Sequence, residues 1–150
     1  MKKFKFKLQT LLNVTVALEK ECKNKLALIN QQLNDLKDTR QGFYDGIEET
    51  KEFYSQAMNL NDFMNANRYI ERLKEKIVEI NVEISIKEYD KSEAQNELIE
   101  TMTRRKTYEK LREKQYFAYK KEVELEESKI LDDFISSNGG EVAENYGWDK

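Results

Sequence analysis

The side chains that could do chemistry here are few, and their spacing excludes most reactions. There is no histidine, so the usual general base and the commonest metal ligand are both missing. No glycine-rich phosphate loop, Cys/His cluster or nucleophile elbow occurs. Asp and Glu are scattered along what read as solvated helix faces, with no pocket to raise a carboxylate pKa. The lone cysteine, Cys22, cannot form an internal disulfide and falls on an apolar stripe, which makes it a small core residue. The reading is therefore a non-enzyme with no cofactor and no metal. The chemistry that remains is recognition by charge and by apolar contact.

Charge is sorted along the chain. Residues 104–121 hold eight cations, among them Arg105, Arg112 and Lys114, against Glu109 and Glu113, a balance of +6. Lys2, Lys3, Lys5 and Lys7 add a second basic cluster, whereas residues 122–150 carry nine acids against two lysines, a balance of -7. The formal net charge of -3 conceals this division. A basic end attracts nucleic acid, anionic lipid or an acidic protein. Nucleic acid is disfavoured, because the acidic block adjoins it and no binding motif accompanies the lysines. An acidic protein surface is preferred, with a merely solvated face as the competing reading.

The elements that must position these groups are helices. With no proline, five glycines, 37% charged residues and a mean hydropathy of -0.87, the composition is that of a coiled coil. The stretch 62–135 has neither proline nor glycine, and Phe63, Ala66, Ile70, Leu73, Ile77, Ile80 and Ile84 recur at steps of three and four. Such a helix would be about 110 Å long, too long for the core of one globule. Its partner is read from Leu8, Leu11, Thr15, Leu18 and Cys22, continuing through Leu26, Ile29, Leu33, Leu36, Arg40, Phe43, Ile47, Thr50, Tyr54 and Ala57. The steps 18 to 22 to 26 read as a small insertion in the heptads. Gly42 and Gly46 share one face, and serve close approach, a bend or nothing at all. After Ile84 the seam weakens, with Lys87, Lys91, Thr101, Arg105, Arg112 and Gln115 at apolar positions.

Met58 to Asp62 read as the hairpin turn, with Asn61 or Asp62 capping the next helix. The expectation is an all-α fold, an antiparallel two-helix coiled coil forming a long hairpin over residues 1–136. Helix 1 covers about 4–57, the turn about 58–62 and helix 2 about 62–135, with a flexible acidic tail at 137–150 containing Tyr146 and Trp148. Residues 1–7 alone suit either an extended arm or a frayed helical turn. Reflection about residue 60 pairs Leu8 with Arg112, so 113–135 should overhang and expose Tyr116, Tyr119, Val123, Ile130 and Phe134. No apolar run approaches a membrane span, and no apolar segment follows the first lysines as in a signal peptide, so a cytoplasmic protein is expected.

Three segments carry a family likeness: Phe4-Lys5-Phe6-Lys7-Leu8-Gln9-Thr10-Leu11-Leu12, Tyr69-Ile70-Glu71-Arg72-Leu73, and Arg105 to Lys114 followed by Leu131-Asp132-Asp133. In order and spacing, over about residues 3–135, the chain resembles the flagellar export protein FliJ family. The resemblance implies a stalk-like component of the flagellar type III export apparatus, at the cytoplasmic face of the inner membrane. It implies binding to the hexameric export ATPase through the end that carries both termini, to the cytoplasmic domain of the export gate protein, and to export chaperones. The ATPase-facing residues would be Lys5, Leu8, Leu11, Arg105, Leu111, Arg112, Lys114, Tyr119 and Val123. The gate-facing residues would be Gln32, Leu36, Phe43, Tyr69 and Leu73, while Thr39 and Lys76 depart from the family pattern. Membrane association would be peripheral at most. The alternative is a generic coiled-coil spacer or holding chaperone, whose overhang a second copy would cover.

Overall fold

The computed structural model describes residues 2–56 and 59–145, with side chains to residue 138. Two long helices, α1 (Gln9–Tyr54) and α2 (Leu60–Asn145), pack against each other as an all-α hairpin. Contacts sort the chain into two compact units, one of residues 16–102 and one pairing 1–15 with 103–150.

The helix boundaries differ from those expected. Residues 2–8 are not helical, so the N-terminal alternation of Lys and Phe is an arm. Helix α1 ends at Tyr54, and Ala57 and Met58 lie outside the described residues. Helix α2 passes the expected end at Ile135 and runs to Asn145, through Gly139 and Gly140. Each glycine costs a helix only about 1 kcal/mol relative to alanine, which does not stop one already propagating. Residues 146–150, with Tyr146 and Trp148, lie outside the described residues. The cap of α2 is Asn59, not Asn61 or Asp62: its Oδ1 accepts from the Asp62 N–H at 2.9 Å.

In the 16–102 unit the seam of α1 keeps strict steps of three and four. Cys22, Leu26, Ile29, Leu33, Leu36, Arg40, Phe43, Ile47, Thr50 and Tyr54 are all buried or half-buried. The position before Cys22 on this seam is Glu19, 5% exposed, while Leu18 is 39% exposed. No insertion breaks the repeat here, and Glu19 is the exception to the expectation that carboxylates stay on solvated faces. Its carboxylate meets Lys23 Nζ at 3.4 Å. Two apolar clusters fill the interface. One joins Ile29 and Leu33 to Ile80, Ile84 and Ala94, and the other joins Ile47 to Ile70, Leu73 and Ile77. Phe63, expected on the seam, is exposed.

The seam of α2 after Ile84 is polar but occupied. Lys87 and Lys91 are half-buried, so their stems cover apolar surface. Thr101 is buried, with its Oγ1 3.8 Å from the Sγ of the buried Cys22. The two glycines have separate explanations. A Cβ on Gly46 would lie 3.2 Å from Leu73 Cδ1, so this glycine admits the leucine, whereas Gly42 faces open space.

In the other unit, Leu12 and Thr15 are buried and Leu11 is 48% exposed, so Leu12 takes the inward place expected for Leu11. The antiparallel register is as expected: Arg112 Nε donates to Gln9 Oε1 at 3.0 Å, one residue from the pairing of Leu8 with Arg112.

Candidate docking surfaces

The arm ahead of α1 lies along α2. Phe6 is 7% exposed, and its carbonyl accepts from the Gln9 N–H at 3.1 Å, which turns the chain into the helix. Phe4 packs edge-on to Tyr116 at 5.3 Å between centroids and tilted to Tyr119 at 5.5 Å. The Arg112 guanidinium lies 5.8 Å from the centre of the Phe4 ring, where the ring quadrupole attracts a cation. The Tyr119 hydroxyl donates to the Lys2 carbonyl at 2.7 Å. The expectation that 113–135 has no partner in its own chain is therefore corrected for its first part, because two aromatic rings and a hydrogen bond hold the arm there. From Glu124 to Asn138 every described side chain is exposed. Leu125, Ile130, Leu131, Phe134 and Ile135 are 56–71% exposed.

All nine residues expected to face the ATPase belong to this unit. Lys5, Leu11, Arg112 and Lys114 are exposed, and Leu8, Arg105, Leu111, Tyr119 and Val123 are half-buried. Arg105 is held by Glu109, with Nη1 2.9 Å from Oε2. Lys5, Tyr119 and Val123 share a shallow groove with Phe4, Glu122 and Glu126, which sets the arm's lysines beside the start of the acidic block. Composition placed the basic and acidic blocks next to each other in sequence, but nothing local in it specified that Phe4 would anchor on Tyr116 and Tyr119.

The five residues expected to face the gate fall in the 16–102 unit. Gln32 and Leu36 line one hollow, and Leu36 and Phe43 line the next. Tyr69 is 48% exposed. Leu73 is 6% exposed and packed among Ile47, Ile70 and Ile77. The two departures from the family pattern line the same hollow as Phe43: Lys76 Nζ sits 5.8 Å from the Phe43 centroid, and Thr39 Oγ1 donates to the Asp35 carbonyl at 3.0 Å. On α2, the Tyr89 hydroxyl donates to Glu93 Oε1 at 2.8 Å, and this bond holds the phenol above its ordinary pKa, since ionisation would break it. Among the described residues there is no group of carboxylates or Cys that could hold a metal ion, and no helix is long and apolar enough to cross a membrane.

These features define a class: an all-α helical hairpin whose exposed surfaces are grooves and apolar faces along its helices. Residues 4–140 match the family model described as Flagellar FliJ protein, and the chain belongs to that family. Membership makes it a component of the flagellar export apparatus. No curated protein sequence and no solved structure matches the chain.

Proposed function

We propose that the protein is a non-enzymatic, stalk-like subunit of the export apparatus. It binds and activates the hexameric export ATPase, links it to the cytoplasmic domain of the export gate, and handles export chaperones. It works in the cytoplasm, at the inner face of the inner membrane, through its partners. The observation that carries this reading is the end of α2, where Leu125, Ile130, Leu131, Phe134 and Ile135 stand open to solvent beyond the reach of the arm. A contiguous exposed apolar face of this kind marks an interaction site. The ATPase contact takes in this face together with Lys5, Leu8, Leu11, Arg105, Leu111, Arg112, Lys114, Tyr119 and Val123. The gate contact uses Gln32, Leu36, Phe43 and Tyr69, with Leu73 holding that surface from below.

The test is to mix the purified protein with the export ATPase and measure hydrolysis. A rise in rate that Ile130→Asp and Phe134→Asp remove supports the proposal. An absence of both binding and rate change would overturn it.

A further inference from the structure

We infer that one flank of the 16–102 unit is a seat for a third helix: an amphipathic helix of about five turns whose apolar stripe is bordered by basic residues. The inference deepens the gate-side reading, on which it rests, by giving the chemistry of the segment that docks. Three hollows of about 480, 330 and 300 Å³ lie along this flank. They run together, because Leu36, Thr39 and Glu83 line two of them and Lys87 joins the third. On α1 the furrow extends from Lys25 to Phe43, about 27 Å at roughly 1.5 Å per residue, the length of a helix of about 18 residues.

Its floor is apolar where the two helices leave side chains uncovered. Leu28 and Ile86 are 55% and 56% exposed, and Leu36 and Phe43 are half-buried along the same floor. A valley between two packed helices takes the apolar ridge of another helix, anchored at steps of three and four. The described residues form no strand, so they offer no sheet edge for an extended peptide to join.

The rim selects the partner's charge. Asp35, Glu79, Glu83 and Asp90 border the furrow, and among the described residues none of them forms an ion pair. Lys25, Lys76 and Lys87 line the same hollows, where the carboxylates, Glu93 included, outnumber them. Lys25 Nζ holds Glu97 at 3.3 Å, Lys76 lies over Phe43, and Lys87 is half-buried. Carboxylates that outnumber the lysines beside an apolar floor favour an incoming helix flanked by Lys or Arg. They also disfavour a second copy of the same flank, which would set two acidic rims against each other.

The probe is a fluorescein-labelled 18-residue synthetic helix with leucines at steps of three and four and flanking lysines, titrated by anisotropy into the full chain. Two further peptides accompany it, a scrambled one of identical composition and a twin with glutamates for the lysines. The patterned lysine peptide should bind at least about tenfold tighter than either. The exposed triple variant D35N/E79Q/E83Q should weaken it about tenfold at low salt, and Leu28→Asp with Ile86→Asp should abolish it. Circular dichroism verifies that each variant keeps its helices. Equal binding of the scrambled peptide, indifference to either set of variants, or sedimentation showing a dimer closed through this flank would each overturn the inference. The titration contains neither ATPase nor gate, so its failure is distinguishable from failure of the export role, which is read from the hydrolysis rate.

Discussion

Replacing Glu19 with leucine is expected to stabilise the protein, although it removes an ion pair. Glu19 is 5% exposed on the inward side of α1, and its carboxylate pairs with the exposed Lys23 at 3.4 Å on the same helix. Such an i,i+4 pair contributes about 0.3–0.5 kcal/mol, and a further hydrogen bond about 1 kcal/mol. A leucine buried at the same place contributes about 1.5–3 kcal/mol and leaves no carboxylate to desolvate. The balance favours leucine by up to about 2 kcal/mol, or up to roughly 8 °C in Tm for a chain of this size. Thermal unfolding followed by circular dichroism at neutral pH measures it, with Leu18→Ala as the companion variant. Leu18 is 39% exposed and its truncation should cost under about 1 kcal/mol. A lower Tm for Glu19→Leu, or a loss of about 2–5 kcal/mol for Leu18→Ala, would place the seam through Leu18 and refute the packing described here.

Three other outcomes follow from the same packing. Leu12→Ala should lose about 2–4 kcal/mol in urea unfolding, while Leu11→Ala, at the neighbouring exposed position, should lose under about 1 kcal/mol and act only on ATPase binding. Gly42→Ala should gain about 0.5–1 kcal/mol from helix propensity, because its Cβ meets open space, and Gly46→Ala should gain less, because its Cβ presses on Leu73 Cδ1; paired denaturation curves compare them. Phe4→Ala removes the contacts with Tyr116 and Tyr119, worth about 1–2 kcal/mol together, and should speed tryptic cleavage after Lys5 and Lys7 about tenfold, with no change in cleavage within the 16–102 unit.

Much of this molecule is legible one helix at a time. The seam from Leu26 to Tyr54 and that from Ala66 to Ile84 emerge from spacing alone, because a residue's side of a helix depends only on its own position in the repeat. The hairpin register followed from counting outward from the turn. Reading by residue type failed where type and position disagree: Leu18 and Leu11 are more apolar than Glu19 and comparable to Leu12, yet they point outward. The arm was ambiguous because an alternation of Lys and Phe over a few residues satisfies more than one backbone, and its partner rings lie more than a hundred residues away.

The chain by itself determines two long helices, their separation near residue 60, and the division of charge between residues 104–121 and 122–150, since each depends on local composition and a short-range repeat. Tertiary structure alone decides that Glu19 faces inward, that Leu73 is core and Tyr69 is surface, that Gly46 admits a leucine, and that Phe4 closes over Tyr116 and Tyr119. Those outcomes depend on which atoms a second helix or arm brings opposite each position, and packing against a distant segment is not written in the neighbouring residues.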